Sequence, residues 1–355
     1  MAMNKGNAYS SCIRRLAVAS LLGIAASAAA VKIAAADEGG VSFWVPGFFG
    51  SLAATPQQPG FSLATLYYHT SVTAGADVAA ARQVSRGNIT ANLSANLSGN
   101  LNGAADLGFA IPTYVFAEPV LGGQAAVALL VPAGRSRASV DATLTGTVGP
   151  IPFTVSGGRS DTTTGFADLI PQFSLRWNAG VHNFMTYVTG DIPVGAYDSK
   201  SLANLGIGHG AFDAGGGYTY FNPQTGHELS GVLGFTYNFK NTATQYQNGI
   251  DMHFDWGASK FLTKQLHVGL VGYAYQQLTG DSGSGDRLGD FKSRVFGVGP
   301  QIGYIFPLGD HQGYLNLKAY KEFAAEHRAD GWNAWLTFAI SPAAAPPPVR
   351  RMATK

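Results

Sequence analysis

Residues 88–102 read NITANLSANLSGNLN, and the line alternates without a break. Ile89, Ala91, Leu93, Ala95, Leu97 and Leu101 share one parity; Thr90, Asn92, Ser94, Asn96, Ser98 and Asn100 share the other. A period of two marks an extended strand with two unlike faces, because successive side chains leave the pleat on opposite sides. The stretch also holds Asn-x-Ser/Thr triplets at Asn88, Asn92 and Asn96. That motif is short, and a strand face made of Asn and Ser writes it by chance.

The same period governs the chain from Phe61 onward. In TGFADLIPQFSLRWN, Leu169, Phe173, Leu175 and Trp177 oppose Asp168, Gln172, Ser174 and Arg176. In NGIDMHFDWGAS, Met252, Phe254 and Trp256 oppose Asp251, His253 and Asp255. FSLATLYYHTSV sets Ala64, Leu66, Tyr68 and Val72 against Thr65, His69 and Ser71, and GYLNLKAYKEF sets Leu315 and Leu317 against Asn316, Lys318 and Glu322. No comparable stretch repeats at the helical spacing, so the fold class is all-β. About twelve strands are predicted: 61–73, 87–117, 123–147, 163–178, 182–195, 211–222, 226–241, 248–262, 266–279, 291–306, 312–323 and 331–341.

The connections alternate. Short turns at 118–122, 178–182, 222–227, 263–265 and 307–311 alternate with longer polar segments at 74–86, 148–162, 196–210, 242–247, 280–290 and 324–330. An even number of antiparallel strands with short turns at one end and long loops at the other is the arrangement of an outer-membrane barrel. Composition agrees: charged residues are 12% of the chain, about half the usual ~25% of soluble domains. In a bilayer an open sheet edge leaves backbone groups unpaired, so the sheet must close. The polar face is then read as lumenal and the apolar face as lipid-facing. The second strand keeps its parity from Ile89 to Val115, too long for a lipid band ~25 Å tall. Its hairpin is expected to project above the membrane. The third strand changes parity near Pro132-Ala133-Gly134, where a bulge is expected.

Arg14 and Arg15 precede an apolar run from Leu16 to Val31, followed by small-residue exits that include Ala34-Ala35-Ala36. This is the pattern of a secretory leader, with residues 1–36 removed on export to the bacterial outer membrane. The single cysteine, Cys12, is lost with it, which leaves no thiol for a disulfide, a nucleophile or a thiolate-bound metal. Residues 37–60 do not alternate, and crowd Phe43, Trp44, Phe48 and Phe49 among Gly and Pro. They are read as an irregular plug entering the lumen, with those four rings as solute contacts. The barrel spans 61–341, and 342–355 is a Pro-rich periplasmic tail. A net charge of +2 without a basic stripe argues against nucleic acid.

VSFWVPGFFGSLAA, LANLGIGHGAFDAGGGYTYFNPQTGHE, NGIDMHFDWGASKFLTKQLHVGLVGYAY and GWNAWLTFAISP together resemble an outer-membrane "transporter" family associated with the meta-cleavage pathway of phenol degradation. The resemblance covers residues 41 to 342. It implies an outer-membrane barrel that passes aromatic or other hydrophobic compounds. The chain is also similar to long-chain fatty acid and hydrocarbon channels, which carry an N-terminal plug inside the lumen. Their Asn-Pro-Ala plug motif is absent here.

By parity the ionisable lining of the lumen is Asp168, Arg176, Asp191, Asp213, Glu228, Asp251, His253, Asp255, Lys318 and Glu322. Mixed signs suggest a cross-strand polar network narrowing the lumen. Asp251, His253 and Asp255 carry metal-ligand atoms, yet residues i and i+2 of one strand converge poorly on one ion. They are read as lining, and no cofactor or metal is expected. His69-x-Ser71 resembles the His and Ser pair of outer-membrane phospholipases, but Val72 and Thr73 stand where that family has Asn-Gly, and parity puts the pair on the polar face. The expected function is therefore non-enzymatic: a passive channel for small hydrophobic compounds, aromatic ones among them. The expected partners are outer-membrane lipid and lipopolysaccharide, the solute and the barrel-assembly machinery. The alternatives are a structural or adhesive surface barrel and, more remotely, a phospholipase.

Overall fold

In a computed structural model the chain is described over residues 42–74, 93–148, 151–286 and 292–343. The leader, the first residues of the plug segment, the tail beyond 343 and residues 75–92, with the start of the opening stretch, lie outside the described residues. The strands are β1 (Gly60–Ala74), β2 (Leu93–Val115), β3 (Gln124–Val148), β4 (Ile151–Phe166), β5 (Ile170–Ala179), β6 (His182–Asp191) and β7 (Ala211–Asn222). They continue with β8 (His227–Asn238), β9 (Asp251–Phe261), β10 (Leu266–Gln277), β11 (Arg294–Leu308), β12 (His311–Glu326) and β13 (Asp330–Pro342).

Apart from β4 and β5, which both pair with β3, each strand pairs antiparallel with its chain neighbour, and β1 closes on β13. β4 and β5 follow one another along the same flank of β3, so together they act as one stave and the closed wall has twelve. Closure pairs the backbone all round and leaves the wall without an edge, as a bilayer requires. The outward faces are greasy, with Leu270 54% and Leu317 50% exposed, while Asp213 and His253 are almost fully buried. This is the inverse of a soluble protein and the expected pattern of a membrane barrel.

Four expectations are corrected. Residues 151–166 are not a loop but strand β4, which pairs with β3 from Val148↔Ile151 down to Ala133↔Phe166. The expected bulge in β3 is absent, because the β2–β3 register runs unshifted from Leu93↔Val148 to Val115↔Ala126. The irregularity sits across the ladder instead. Ala133 faces Phe166 and Leu130 faces Ile170, so the partner carries one extra residue at 167–169. Pro132 lacks an N–H to donate there, although its carbonyl accepts from Ala167 N at 2.9 Å. β12 and β13 reach Glu326 and Asp330, so the expected long connection at 324–330 shrinks to a tight turn.

The fourth correction concerns direction. Leu66, Tyr68, Phe109 and Ile111 point inwards into an apolar cluster with Tyr273 and Trp335, whereas His69 points outwards against Trp332 and Ser71 shares its parity. Along β1 and the barrel part of β2 the parity was right and the side was wrong. Alternation separates two faces without saying which is enclosed, and here the inner wall is apolar because other apolar groups pack on it.

β2, β3 and β4 rise beyond β1 as a three-stranded wing: Ala74 faces Leu101, and β2 continues to Leu93. The outer edge of β4 is held by the segment between β6 and β7. Leu202 N donates to Asp161 Oδ2 at 2.8 Å, Arg159 Nη2 donates to the Lys200 carbonyl at 2.8 Å and Thr163 Oγ1 to the Ala203 carbonyl at 2.6 Å. The Leu202 amide, aided by Arg159, holds the Asp161 carboxyl below its ordinary range. A depressed carboxyl favours docking above the ordinary carboxylate value, and that contribution is lost as pH falls through the lowered one. Asp161→Asn is expected to speed hydrogen exchange at Leu202 several-fold while leaving exchange in β9–β12 unchanged, as read by exchange mass spectrometry.

Candidate functional site: a plugged lumen

Ser42 to Pro59 cannot form a strand or a helix, since Pro46, Gly47, Gly50 and Pro56 break both. The segment instead makes two turns. Phe48 N donates to the Val45 carbonyl at 3.2 Å, and Thr55 N to the Leu52 carbonyl at 3.1 Å. Gly47 has φ 86°, and a Cβ there would lie 2.9 Å from the Tyr320 ring. Only glycine satisfies both the conformation and the space.

Turns leave backbone groups without ladder partners, and the lumen wall supplies them. Asp255 on β9 accepts from Gly47 N at 2.8 Å and from Phe49 N at 3.3 Å. Lys318 on β12 donates to the carbonyls of Gly47, Phe48 and Phe49 at 2.5, 3.0 and 3.1 Å. The first turn is therefore bracketed by a carboxylate on its N–H side and an ammonium on its carbonyl side. The second turn is held by Glu228, which accepts from Leu52 N at 2.8 Å, and by Thr219, which accepts from Ala54 N at 3.0 Å. Ser51 joins Ser259 at 2.7 Å and accepts from Gln301 at 2.6 Å. At the foot, Gln57 and Gln124 exchange two hydrogen bonds.

The rings of the segment fill what remains. Trp44 lies on His253 with centroids 3.7 Å apart and planes 11° from parallel, and packs on Tyr187 and Phe49. Phe48 touches Trp44, Phe49 and Trp335. It thus bridges two inner apolar clusters, one around Tyr68, Phe109 and Trp335 and one around Met185, Tyr187 and Val232. Phe43 is buried as well.

Of the ionisable residues predicted to line the lumen, Glu228, Asp255 and Lys318 touch the plug backbone, and His253 carries its tryptophan. His253 donates to Asp213 at 3.0 Å, and Asp213 accepts from Thr236 at 2.5 Å. Asp251 accepts from Asn238 at 2.8 Å, and Glu322 from Tyr273 and Gly331 N, each at 2.8 Å. Arg176 is buried and donates to Ser174 at 2.7 Å, while Asp191 ends β6, half-buried. Asp168 is not on a strand. It sits in the break between β4 and β5 and accepts from Gly195 N and Ile207 N, each at 2.7 Å, tethering the segment between β6 and β7.

Sequence reading singled out charged groups and so missed Thr219, Ser259, Gln301 and Tyr320; on their own strands Thr219, Ser259 and Tyr320 share parity with the charged lining. A hint was available in Gly257, where a Cβ would lie 2.7 Å from Ser51 N: a glycine inside a strand often marks close approach of another backbone. His69, expected among lumenal groups, bonds through Nδ1 to Asp106 at 2.7 Å on the outer face, where Tyr67 donates to the same carboxylate at 2.6 Å. Among the described residues the partner of His69 Nδ1 is Asp106, not Ser71.

Residues 75–338 match the family model described as "Putative MetA-pathway of phenol degradation". The chain belongs to that family. Among solved structures, this family member is similar to the COG4313 outer membrane channel from Pseudomonas putida F1, with TM-score 0.58 and 13% identity over 84% of this chain and 99% of that one. The likeness shows a shared fold. The translocator domain of the autotransporter NalP from Neisseria meningitidis follows at TM-score 0.33 and 10% identity, over 82% of this chain and 91% of that one; it is too distant to carry an argument. A search of curated proteins found no match. The phenol-degradation match starts after the plug, so the plug geometry stands on this chain's own residues.

Proposed function

We propose that the protein is a passive outer-membrane channel for small hydrophobic solutes, aromatic compounds among them, and that these solutes contact the plug. The observation that carries this reading is the run of Trp44, Phe48 and Phe49, which joins the two inner apolar clusters into one greasy track beside the polar bracket of Asp255 and Lys318. A water-filled pore offers an apolar solute nothing to bind. A ring-lined track offers weak, successive sites, which conduction needs in order to admit and release. On this reading the leader is removed, the barrel-assembly machinery inserts the chain, and lipopolysaccharide surrounds its outer half.

The test is flux into proteoliposomes with lipopolysaccharide in the outer leaflet, comparing an aromatic solute with a sugar of similar size. The native protein is expected to favour the aromatic solute, and Phe48→Ala with Phe49→Ala to reduce that preference at least several-fold. Equal passage of both solutes by the native protein would make it a general pore. Passage of neither would leave the structural or adhesive surface barrel as the better reading.

A further inference from the structure

On the lipid-facing side of the wall, β6 to β10 form a track that the lumen does not use. Starting from the short-turn end, register places His227 across from Lys260, then Leu229 across from Ala258, Gly231 across from Trp256 and Leu233 across from Phe254. Two adjoining grooves follow this line. The lower one, about 340 Å³, is lined by His227, Lys260, Ala258, Val268 and Leu270, and also by Glu228, whose carboxylate turns inwards to Leu52 N. The upper one, about 790 Å³, runs between Phe184 and Tyr218 on one side and Phe254 and Trp256 on the other, over Gly216 and Gly231. Glycine at those two outward positions removes the side chains that would otherwise fill the groove.

The lower end is cationic. Lys260 Nζ donates to the Thr225 carbonyl at 2.6 Å and lies 3.3 Å from His227 Nε2. By strand parity the carboxylates of these five strands, Asp191, Asp213, Glu228, Asp251 and Asp255, all face the lumen, and four of them are almost fully buried. Nothing acidic on the outer face of β6–β10 therefore offsets the pair. From Lys260 to Phe254 the strand rises about 20 Å; at a tilt of about 40° that is roughly one leaflet in depth. A charged head at the membrane edge with an apolar trough ending near the midplane has the shape of one lipid.

We propose that this face binds a single glycerophospholipid of the leaflet at the short-turn end, its phosphate on Lys260 and His227 and one acyl chain in the trough over Gly231 and Gly216. The test uses the full protein in mild detergent, titrated with a diacyl phosphatidylglycerol and read by native mass spectrometry. One lipid is expected to remain bound. The double variant Lys260→Met, His227→Gln should lower its occupancy at least tenfold, and Gly231→Leu, which fills the trough and keeps the charges, should lower it as well. Lys321→Met, which removes a cation elsewhere on the outer wall, should not. Undiminished binding in the double variant would overturn the proposal, as would competition by glycerol phosphate as effective as by the lipid, since the trough would then contribute nothing. All variants are compared after a folding check by heat-dependent gel mobility.

Discussion

Replacing Lys318 by Met is expected to release the first turn of the plug and raise the conductance of single channels in planar bilayers. The Lys318 ammonium is buried and bonds three consecutive carbonyls of the turn. Net hydrogen bonds to a charged group are worth about 1.5–3 kcal/mol. The substitution also strips the cation from the vicinity of Asp255, which is 1% exposed; removing one partner of a buried charged arrangement costs about 3–5 kcal/mol. At about 1.4 kcal/mol per factor of ten, the undocked state should gain two to three orders of magnitude in population. Asp255→Asn should do less, because the amide oxygen still accepts from Gly47 or Phe49. A folded Lys318→Met barrel with native conductance would mean that the rings, not the bracket, hold the plug.

Trp44→Ala is the second large effect. The indole is 6% exposed and packs on His253, Tyr187, Phe48 and Phe49, and truncating a buried aromatic typically costs about 3–5 kcal/mol. Most of this loss should fall on plug docking, because its partners on the wall keep their own ladder bonds. Hydrogen exchange at the amides of Gly47, Phe49, Leu52 and Ala54 should therefore rise by at least two orders of magnitude, with little change in β8 and β9. Trp332, at 46% exposed on the outer wall, is the control: Trp332→Ala should leave plug exchange as it was. Equal acceleration by both substitutions would show a general loosening of the barrel.

The two predictions draw on residues of different legibility. Asp255, Lys318 and Glu228 were readable as lining because each shares the polar face of its strand, and a charge facing the lipid core is costly. Trp44 and Phe48 were readable as needing cover, since several large rings close together in an irregular segment rarely stay wet. Which wall residue meets which plug residue was not readable, because the hydrogen-bonded pairs are 67 to 273 positions apart. Asp168 shows the opposite failure. Its parity was that of a lining residue, yet the extra residue at 167–169 takes it off the ladder and gives it to a loop.

Taken alone, the sequence determined the all-β class, the number of staves, the short turns at 178–182, 222–227, 263–265 and 307–311 and the polar inner faces of β8, β9 and β12. All of these rest on local rules: side chains alternate along an extended chain, and charges avoid lipid. Tertiary structure alone decided that β1 and β2 turn Leu66, Tyr68, Phe109 and Ile111 inwards, that β4 is a strand, and that a carboxylate and an ammonium grip the plug from either side. Both faces of β1 carry apolar groups, Leu63 outside and Leu66 inside, so hydrophobicity could not choose between them. Closure of the wall around a ring-bearing plug did, by giving an apolar inner face something apolar to pack against.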